Sequence, residues 1–308
     1  MSWSLRTPVA LLVFNRPEAT SRVVAEIVRA RPPQVLVFGD GPRADHPEDP
    51  SRVAAARAVV EAAPWECDVL TNYSDVNLGA KYRPATGLDW VFDTVDRAIF
   101  LEDDCLPHPT FFRFCDELLE RYGDDERVMM VSGNNFMRGR RLTADSYLFS
   151  HYVGIWGWAT WRRAWRHYDV DLHQWGSLRD TDFLHDVLGD EAEVALWRRY
   201  FDGIVSGESR TWDHQWQFAC WAQHGLSIMP AVHLCASIGF GPKAAHYVEV
   251  DPRLAVLASE MRFPLRHPST MVRSREADDF VFRQLLSRPA RPAGRIQRLI
   301  RRCRALRR

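Results

Sequence analysis

Four short apolar runs alternate with helix-like segments in the first 105 residues, and this alternation limits the fold more than any other feature. The runs lie in "VALLVF", "QVLVFG", "CDVLTNY" and "RAIFL". A continuous apolar run such as "VALLVF" is typical of a strand that is buried on both faces. Strands that alternate with helices predict a mostly parallel sheet with helices on both faces. We therefore expect an α/β, Rossmann-like fold.

Polar residues follow each of these predicted strands. They are Asn15 and Arg16 after the first, Asp40 after the second, Asn77 and Gly79 after the third, and Glu102 to Asp104 after the fourth. In open α/β sheets, ligands bind beyond the carboxyl ends of the strands. The sequence therefore predicts a binding site at this edge of the sheet.

Three adjacent acids, Glu102, Asp103 and Asp104, form the densest polar group at that edge. One interpretation is that they cap the helix predicted in "HPTFFRFCDELLERY", because acids are favoured near a helix N-terminus. Pro107 and Pro109, however, separate the acids from that helix. The other interpretation is a divalent cation, since adjacent carboxylates repel each other and oxygen ligands suit Mg²⁺ or Mn²⁺. We favour the second, with the ion shared with a phosphate group.

The rest of the chain is Trp-rich, with "GIWGWATWRRAW" and "TWDHQWQFACW", and is predicted to be an α+β half that closes over the first. Forty basic and forty acidic residues cancel, so net charge predicts no partner. The arginine-rich tail has no matching basic, aromatic surface elsewhere, which disfavours nucleic acid. Six cysteines without paired spacing favour a reducing, cytoplasmic compartment.

Seven stretches, in this order, resemble GT-A fold glycosyltransferases over about residues 7–247: "VALLVFNRPEATSRV", "VLVFGDGPR", "NLG", "LEDDCLPHPTFF", "GIWGWATWRRAW", "TWDHQWQF" and "IGFG". The sequence is similar to small bacterial hemolytic-protein-like glycosyltransferases and, more distantly, to N-acetylglucosaminyltransferase I. The resemblance implies a metal-dependent transferase with a UDP-sugar donor, which acts in glycan or cell-envelope polysaccharide synthesis.

The resemblance also implies a donor-binding set: Asn15, Arg16, Asp40, Asn77, Gly79, Lys81, Glu102 and Asp103. Within it, Arg16 and Asp40 would hold the uridine base, and Lys81 would approach the diphosphate. Asp104 would bind the cation, Mn²⁺ or Mg²⁺, with His246 as a further ligand. Alternatives stay open, since Asp40 also fits a plain Asp-Gly turn and Lys81 a solvated loop.

For the acceptor side, the resemblance implies an inverting mechanism with Asp213 as catalytic base. The distant relative has two adjacent acids there, whereas this chain has His214 in the second position. The identity of the catalytic base is therefore undecided between residues 213 and 214. Asp213 also fits a helix cap. Trp156 and Trp158 would contact the acceptor sugar, although tryptophans more often fill a core. His246 follows Ala244-Ala245 where the family has Ala-Thr, and it also fits a purely structural role.

We therefore predict a catalytic domain over residues 1–250, with a nucleotide-binding half (1–105) and an acceptor half (106–250), and a C-terminal extension (251–308). In the tail, Ile296, Leu299, Ile300 and Cys303 recur at helical spacing opposite arginines. Such a helix fits an anionic membrane surface, at the inner face of the plasma membrane, and the alternative is a disordered tail. The acceptor would be a glycan or a lipid-linked saccharide.

Two other functions compete with this one. A nucleotidyltransferase would need a glycine-rich loop after the first strand, and "FNRPEATSR" has no glycine. A catalytically silent module that binds a nucleotide sugar or a carbohydrate would need the same fold and is the alternative that remains.

Overall fold

The computed structural model describes residues 3–239 and 256–287, which form a mixed α/β fold around an eight-stranded sheet. The strands are β1 Val9–Val13, β2 Gln34–Gly39, β3 Asp68–Tyr73, β4 Arg97–Glu102, β5 Cys105–Pro107, β6 Val128–Ser132, β7 Tyr147–Ser150, β8 Trp158–Trp161, β9 Leu226–Pro230 and β10 Cys235–Ser237. The helices are α1 Pro17–Ala30, α2 Asp49–Glu61, α3 Gly79–Thr94, α4 Thr110–Arg121, α5 Arg162–Trp165, α6 Trp175–Leu178, α7 Phe183–Leu188, α8 Glu191–Val205, α9 Asp213–Ala222 and α10 Arg275–Val281, followed by a π-helical turn, Phe282–Leu286.

The large sheet is mostly parallel, as the sequence predicts. Its order is β3-β2-β1-β4-β8-β6-β9-β7, and β8 and β7 run against the other six strands. A second sheet pairs β5 with β10 in antiparallel orientation. From β1 the chain moves outward to β2 and β3, then returns to the other side of β1 to form β4. The strand order therefore reverses between β1 and β4, which makes this the switch point of the sheet.

Both faces of β1, β2 and β4 are buried, which explains their continuous apolar sequence, whereas β3 lies at the edge of the sheet and is largely exposed. Val9, Leu11 and Val13 of β1 pack in one core with residues of α1, α2 and α4. Ala10 points to the opposite core, where residues of α3 and α9 pack. Alternate side chains of a strand point to opposite faces, so a single run serves two cores. Cys105 and Cys115 are buried in the first of these cores.

A third core lies in the Trp-rich half and joins α6, α8, α9 and α10. Trp175, Trp197 and Trp221 are all buried there, so many of the tryptophans fill the interior. No helix in residues 3–239 or 256–287 is both long and apolar enough to span a membrane. The basic tail lies outside the described residues.

A buried polar cluster attaches α10 to β7. Ser150 donates to Asp278 at 2.6 Å, and Asp278 is 2% exposed. Burial raises the pKa of Asp278 to about 7, although Ser150 and the charge of Arg273 act in the opposite direction. His151 Nε2 lies 3.8 Å from the Asp278 carboxylate. The charge of Glu193 also acts to raise the pKa of Asp278.

We expect the carboxyl group of Asp278 to make the fold less stable as pH rises. An aspartate whose pKa is raised on folding favours the folded state in acid, and that contribution is lost as pH rises through 7. Between pH 5 and pH 8 the loss is on the order of 2 kcal/mol. Asp278→Asn keeps an acceptor for Ser150 and should remove this part of the pH dependence. The check is urea unfolding of both proteins at the two pH values, and equal pH slopes would contradict the prediction.

Candidate functional site

The carboxyl ends of β1 and β4 meet at the switch point, and there the acidic cluster, Glu102 to Asp104, faces Arg16. Leu12 pairs with Glu102 in the sheet, which places the next residues of both strands side by side. The backbone N–H of Phe14 donates to Asp103 Oδ2 at 2.9 Å, and Arg16 Nη1 donates to Oδ1 at 2.8 Å. The same guanidinium nitrogen lies 3.1 Å from Asp104 Oδ2.

The acidic cluster carries more negative charge than Arg16 neutralises. Burial, together with the charges of Asp104, Asp103 and Asp213, raises the pKa of Glu102 to about 8, while Arg16 acts to lower it. Burial also raises the pKa of Asp103 to about 6, against the lowering effect of Arg16. Three carboxyl groups therefore share one guanidinium. Such an arrangement attracts a further cation.

Asp104 is the member of the cluster best placed to bind that cation. Its side chain is 15% exposed, whereas that of Asp103 is 3% exposed and uses both oxygens within the protein. The end of β10 passes directly over Asp104, because the N–H of Ile238 donates to its backbone oxygen at 2.7 Å. A Cβ atom added to Gly239 would lie 1.9 Å from Asp104 Oδ2.

Gly239 is thus a site residue to which the sequence analysis assigned no role. It lies in the "IGFG" stretch, where the glycines themselves were the available signal. A glycine is required wherever a backbone passes this close to another group.

A divalent cation fits the cluster on the condition that other ligands complete its shell. Within the described residues, no three His, Cys, Asp or Glu side chains are grouped to hold a metal. Mg²⁺ is commonly bound by one or two carboxylates together with waters and phosphate oxygens, and Asp104 can supply such a ligand. His246, the second predicted ligand, lies outside the described residues.

Asp40 anchors the loop that leads into α3. Its Oδ1 accepts from the N–H groups of Gly41 and Leu78, and its Oδ2 accepts from Asn77 Nδ2 and from the N–H of Gly79, all between 2.8 and 3.0 Å. A carboxylate has about four acceptor positions, and all are used here. The structure therefore brings Asp40, Asn77 and Gly79 together, but turns Asp40 toward its own loop while Arg16 turns toward the acidic cluster.

Asn15, directly after β1, is hydrogen-bonded to the buried carboxylate of Asp49. Its Nδ2 donates to Asp49 at 2.7 Å, and Arg43 Nε donates to the other oxygen of Asp49 at 2.6 Å. Hydrogen bonds from Arg43 and Asn15 hold the pKa of Asp49 at about 2, although burial acts to raise it. Asn15 therefore braces the turn after β1, next to Arg16.

Lys81 connects the two halves of the chain. Its Nζ donates to Asp171 at 2.7 Å, and its side chain is mostly buried. Asp171 belongs to the predicted acceptor half, so this ion pair holds α3 against it. Lys81 is consequently not a solvated loop residue.

Asp213 is the first residue of α9 and accepts a hydrogen bond from Thr211. The charge of Asp213 contributes to the raised pKa of Glu102, after burial and the charges of Asp104 and Asp103. His214 turns away, since its ring stacks on Tyr200 at 4.6 Å. Of the two candidate bases, Asp213 is the one whose charge reaches Glu102.

The two predicted acceptor tryptophans have different surroundings. Trp158 is 2% exposed, and its ring stacks on Phe100 at 4.8 Å and on Trp212 at 5.7 Å. A covered ring has no free face for a sugar, so Trp158 is a core residue rather than an acceptor contact. Trp156 is partly exposed, and Asn134 fixes its backbone through hydrogen bonds to both its N–H and its C=O.

Comparisons with known proteins add no functional assignment to the fold. No protein-family model matches the chain, and no curated protein matches it. Among solved structures, UDP-glucose pyrophosphorylase complexed with UDP-glucose is similar at 9% identity with a TM-score of 0.27. The likeness covers 47% of this chain and 62% of that one, less than two thirds of the neighbour. A likeness at this level supports no conclusion about function. The described residues define an α/β protein with a Rossmann-like sheet.

Proposed function

We propose that this protein is a metal-dependent glycosyltransferase of the GT-A type. It would transfer a sugar from a UDP-sugar to a hydroxyl of a glycan or lipid-linked acceptor, with inversion at the anomeric carbon. The observation that carries the proposal is the acidic cluster at the switch point between β1 and β4, where Arg16 contacts both Asp103 and Asp104. This edge is where open α/β sheets bind their ligands.

The roles follow from which oxygens are free. Asp104 is the proposed ligand of Mn²⁺ or Mg²⁺, which when bound neutralises the departing diphosphate. Asp103 positions Arg16 and the Phe14 backbone, because both of its oxygens are used by them. Glu102 makes no side-chain hydrogen bond or ion pair among the described residues, so its carboxyl group is available to a hydroxyl of the donor sugar. Arg16 supplies a second positive charge for the diphosphate.

Asp213 is the proposed base. As the acceptor oxygen attacks the anomeric carbon, its proton moves to the Asp213 carboxylate. The bond between the anomeric carbon and the diphosphate oxygen breaks, and its electron pair leaves with UDP. Attack and departure occur on opposite faces of the sugar, which gives inversion.

We expect UDP to bind more tightly in the presence of Mn²⁺, by about tenfold or more, and expect Asp104→Ala to remove this gain. Calorimetric titration of UDP with and without Mn²⁺ measures both. Asp180→Ala is a matched control, because it removes an exposed carboxylate that pairs with Arg179. If the wild type binds UDP with the same affinity with and without Mn²⁺, the proposal is contradicted.

One observation favours a second candidate, a catalytically silent module that binds a nucleotide sugar or a carbohydrate. Arg16 already contacts both Asp103 and Asp104, so the cluster is partly neutralised without a metal. Such a module would bind UDP or sugars without Mn²⁺ and would show no hydrolysis of UDP-sugars, whereas the transferase should hydrolyse its donor slowly in the absence of an acceptor.

A further inference from the structure

A cavity of about 790 Å³ lies apart from the acidic cluster and is strongly basic. Five arginines line it, against two carboxylates, Asp145 and Glu260. The arginines are Arg138, Arg140, Arg141, Arg262 and Arg266. Because the whole chain has equal numbers of acidic and basic residues, this concentration of one sign is a local feature. We call this space the arginine cavity.

Two of these arginines have no side-chain partner among the described residues. Arg138 and Arg262 are exposed and make no ion pair or hydrogen bond through their side chains within the described residues. Arg140, in contrast, pairs with Glu276 at 3.0 Å. Arg141 donates to the backbone oxygen of Thr143 at 2.9 Å. The cavity therefore contains two free guanidinium groups and others that are already held in place.

Hydrogen bonds hold other residues of the cavity lining in place. His233, which is 4% exposed, lies on the cavity lining, and its Nδ1 is 3.0 Å from the backbone nitrogen of Asn135. Its Nε2 is buried and has no hydrogen-bond partner among the described residues. Asn135 in turn donates to the backbone oxygen of Pro230 at 2.7 Å. Guanidinium groups bind phosphate and carboxylate through paired hydrogen bonds, most effectively when their support is fixed.

One strand connects the arginine cavity to the acidic cluster. His233 lies two residues before β10, and Ile238, one residue after it, donates to the backbone oxygen of Asp104. The path from His233 to Ile238 spans five residues, or at most about 17 Å of extended chain. The two sites therefore share this segment of backbone.

We propose that the arginine cavity binds an oxyanion of a saccharide, a phosphate or a carboxylate group. The positive lining and the two free guanidinium groups fit such a ligand, and the cavity volume accommodates one sugar with its charged group. If the proposed transferase function is correct, this saccharide is the acceptor, which would make the enzyme specific for anionic acceptors. The anion site itself does not depend on that function.

The test is calorimetric titration, without metal, of pyrophosphate, glucose 6-phosphate, glucuronate and glucose into the full chain. We expect saturable binding of the charged probes and none of glucose, and the ratio of glucose 6-phosphate to glucuronate affinity identifies the preferred group. Arg138→Gln with Arg262→Gln should weaken the preferred probe about tenfold or more. Arg22→Gln with Arg199→Gln removes the same charge from exposed positions elsewhere and should change affinity less than twofold.

Equal weakening in both double variants, or no saturable binding of any charged probe by the wild type, would overturn the anion site. The outcome is independent of the donor site, because UDP with Mn²⁺ is titrated into the same variants. If the Arg138→Gln with Arg262→Gln variant binds the charged probe weakly but binds UDP normally, both proposals are supported. If that variant binds the charged probe weakly and the wild type does not bind UDP, the anion site stands and the transferase proposal falls.

Discussion

Arg16→Ala should lower the free energy of unfolding by about 3–5 kcal/mol, the largest stability effect that we expect from a single substitution at the site. Asp103 is buried, and Arg16 is its charged partner at 2.8 Å. After the substitution, the N–H of Phe14 is the remaining hydrogen bond to that carboxylate. A buried charge that loses its partner is costly, because the desolvation penalty remains while the attraction is gone.

The charges around Arg16 add to this cost. Asp104 repels Asp103, and Arg16 contacts both carboxylates. Urea unfolding at neutral pH measures the loss. Arg97→Ala is a suitable control, because Arg97 pairs with the exposed Glu120 and its removal should have a much smaller effect.

A second substitution tests the cause. Asp103→Asn in the Arg16→Ala background removes the unpaired charge and should recover much of the lost stability, which is a coupling between the two sites. Mn²⁺ should also stabilise Arg16→Ala, because the cation supplies positive charge at the cluster. A loss below about 1 kcal/mol in the single variant would show that Asp103 is not held as an ion in the folded protein.

The edge of the sheet could be predicted from sequence because it depends on local patterns. Runs such as "VALLVF" and "RAIFL" indicate strands by composition, and the acids after the last run follow from chain order. The run "QVLVFG" coincides with β2, Gln34–Gly39, whereas "VALLVF" extends one residue past β1, Val9–Val13. The end of a strand differs from the end of its apolar run because it depends on packing as well as on composition.

The partners across the site could not be predicted, because they depend on long-range geometry. Arg16 and Asp103 are 87 residues apart in sequence, and Asp104 meets Gly239 only because β10 pairs with β5. Asp40 was expected near a nucleobase, yet all of its acceptor positions are used by the loop before α3. The burial of Trp158 has the same origin, since β8 inserts between β4 and β6 in the sheet.

Asp213→Asn should slow hydrolysis of the UDP-sugar by about 10²- to 10⁴-fold, the range expected for loss of a general base. The substitution keeps the shape of the side chain and an acceptor for Thr211, so α9 should begin in the same way. Trp212, next in the chain, remains stacked on Trp158. We therefore expect UDP to bind with Mn²⁺ about as it does in the wild type, so that the loss falls on the rate and not on donor affinity.

His214→Gln provides the matched comparison, because it changes the adjacent residue. The His214 ring packs between Tyr200 and Trp197, away from the acidic cluster, whereas the charge of Asp213 reaches Glu102. The rate should therefore stay within about tenfold of the wild type in His214→Gln, after correction for any loss of folded protein. Equal rates in Asp213→Asn and the wild type, or a larger loss in His214→Gln, would assign the base to another residue. Since a base must lie within reach of the hydroxyl that it deprotonates, the position of Asp213 beside the cluster is the physical reason to expect the first outcome.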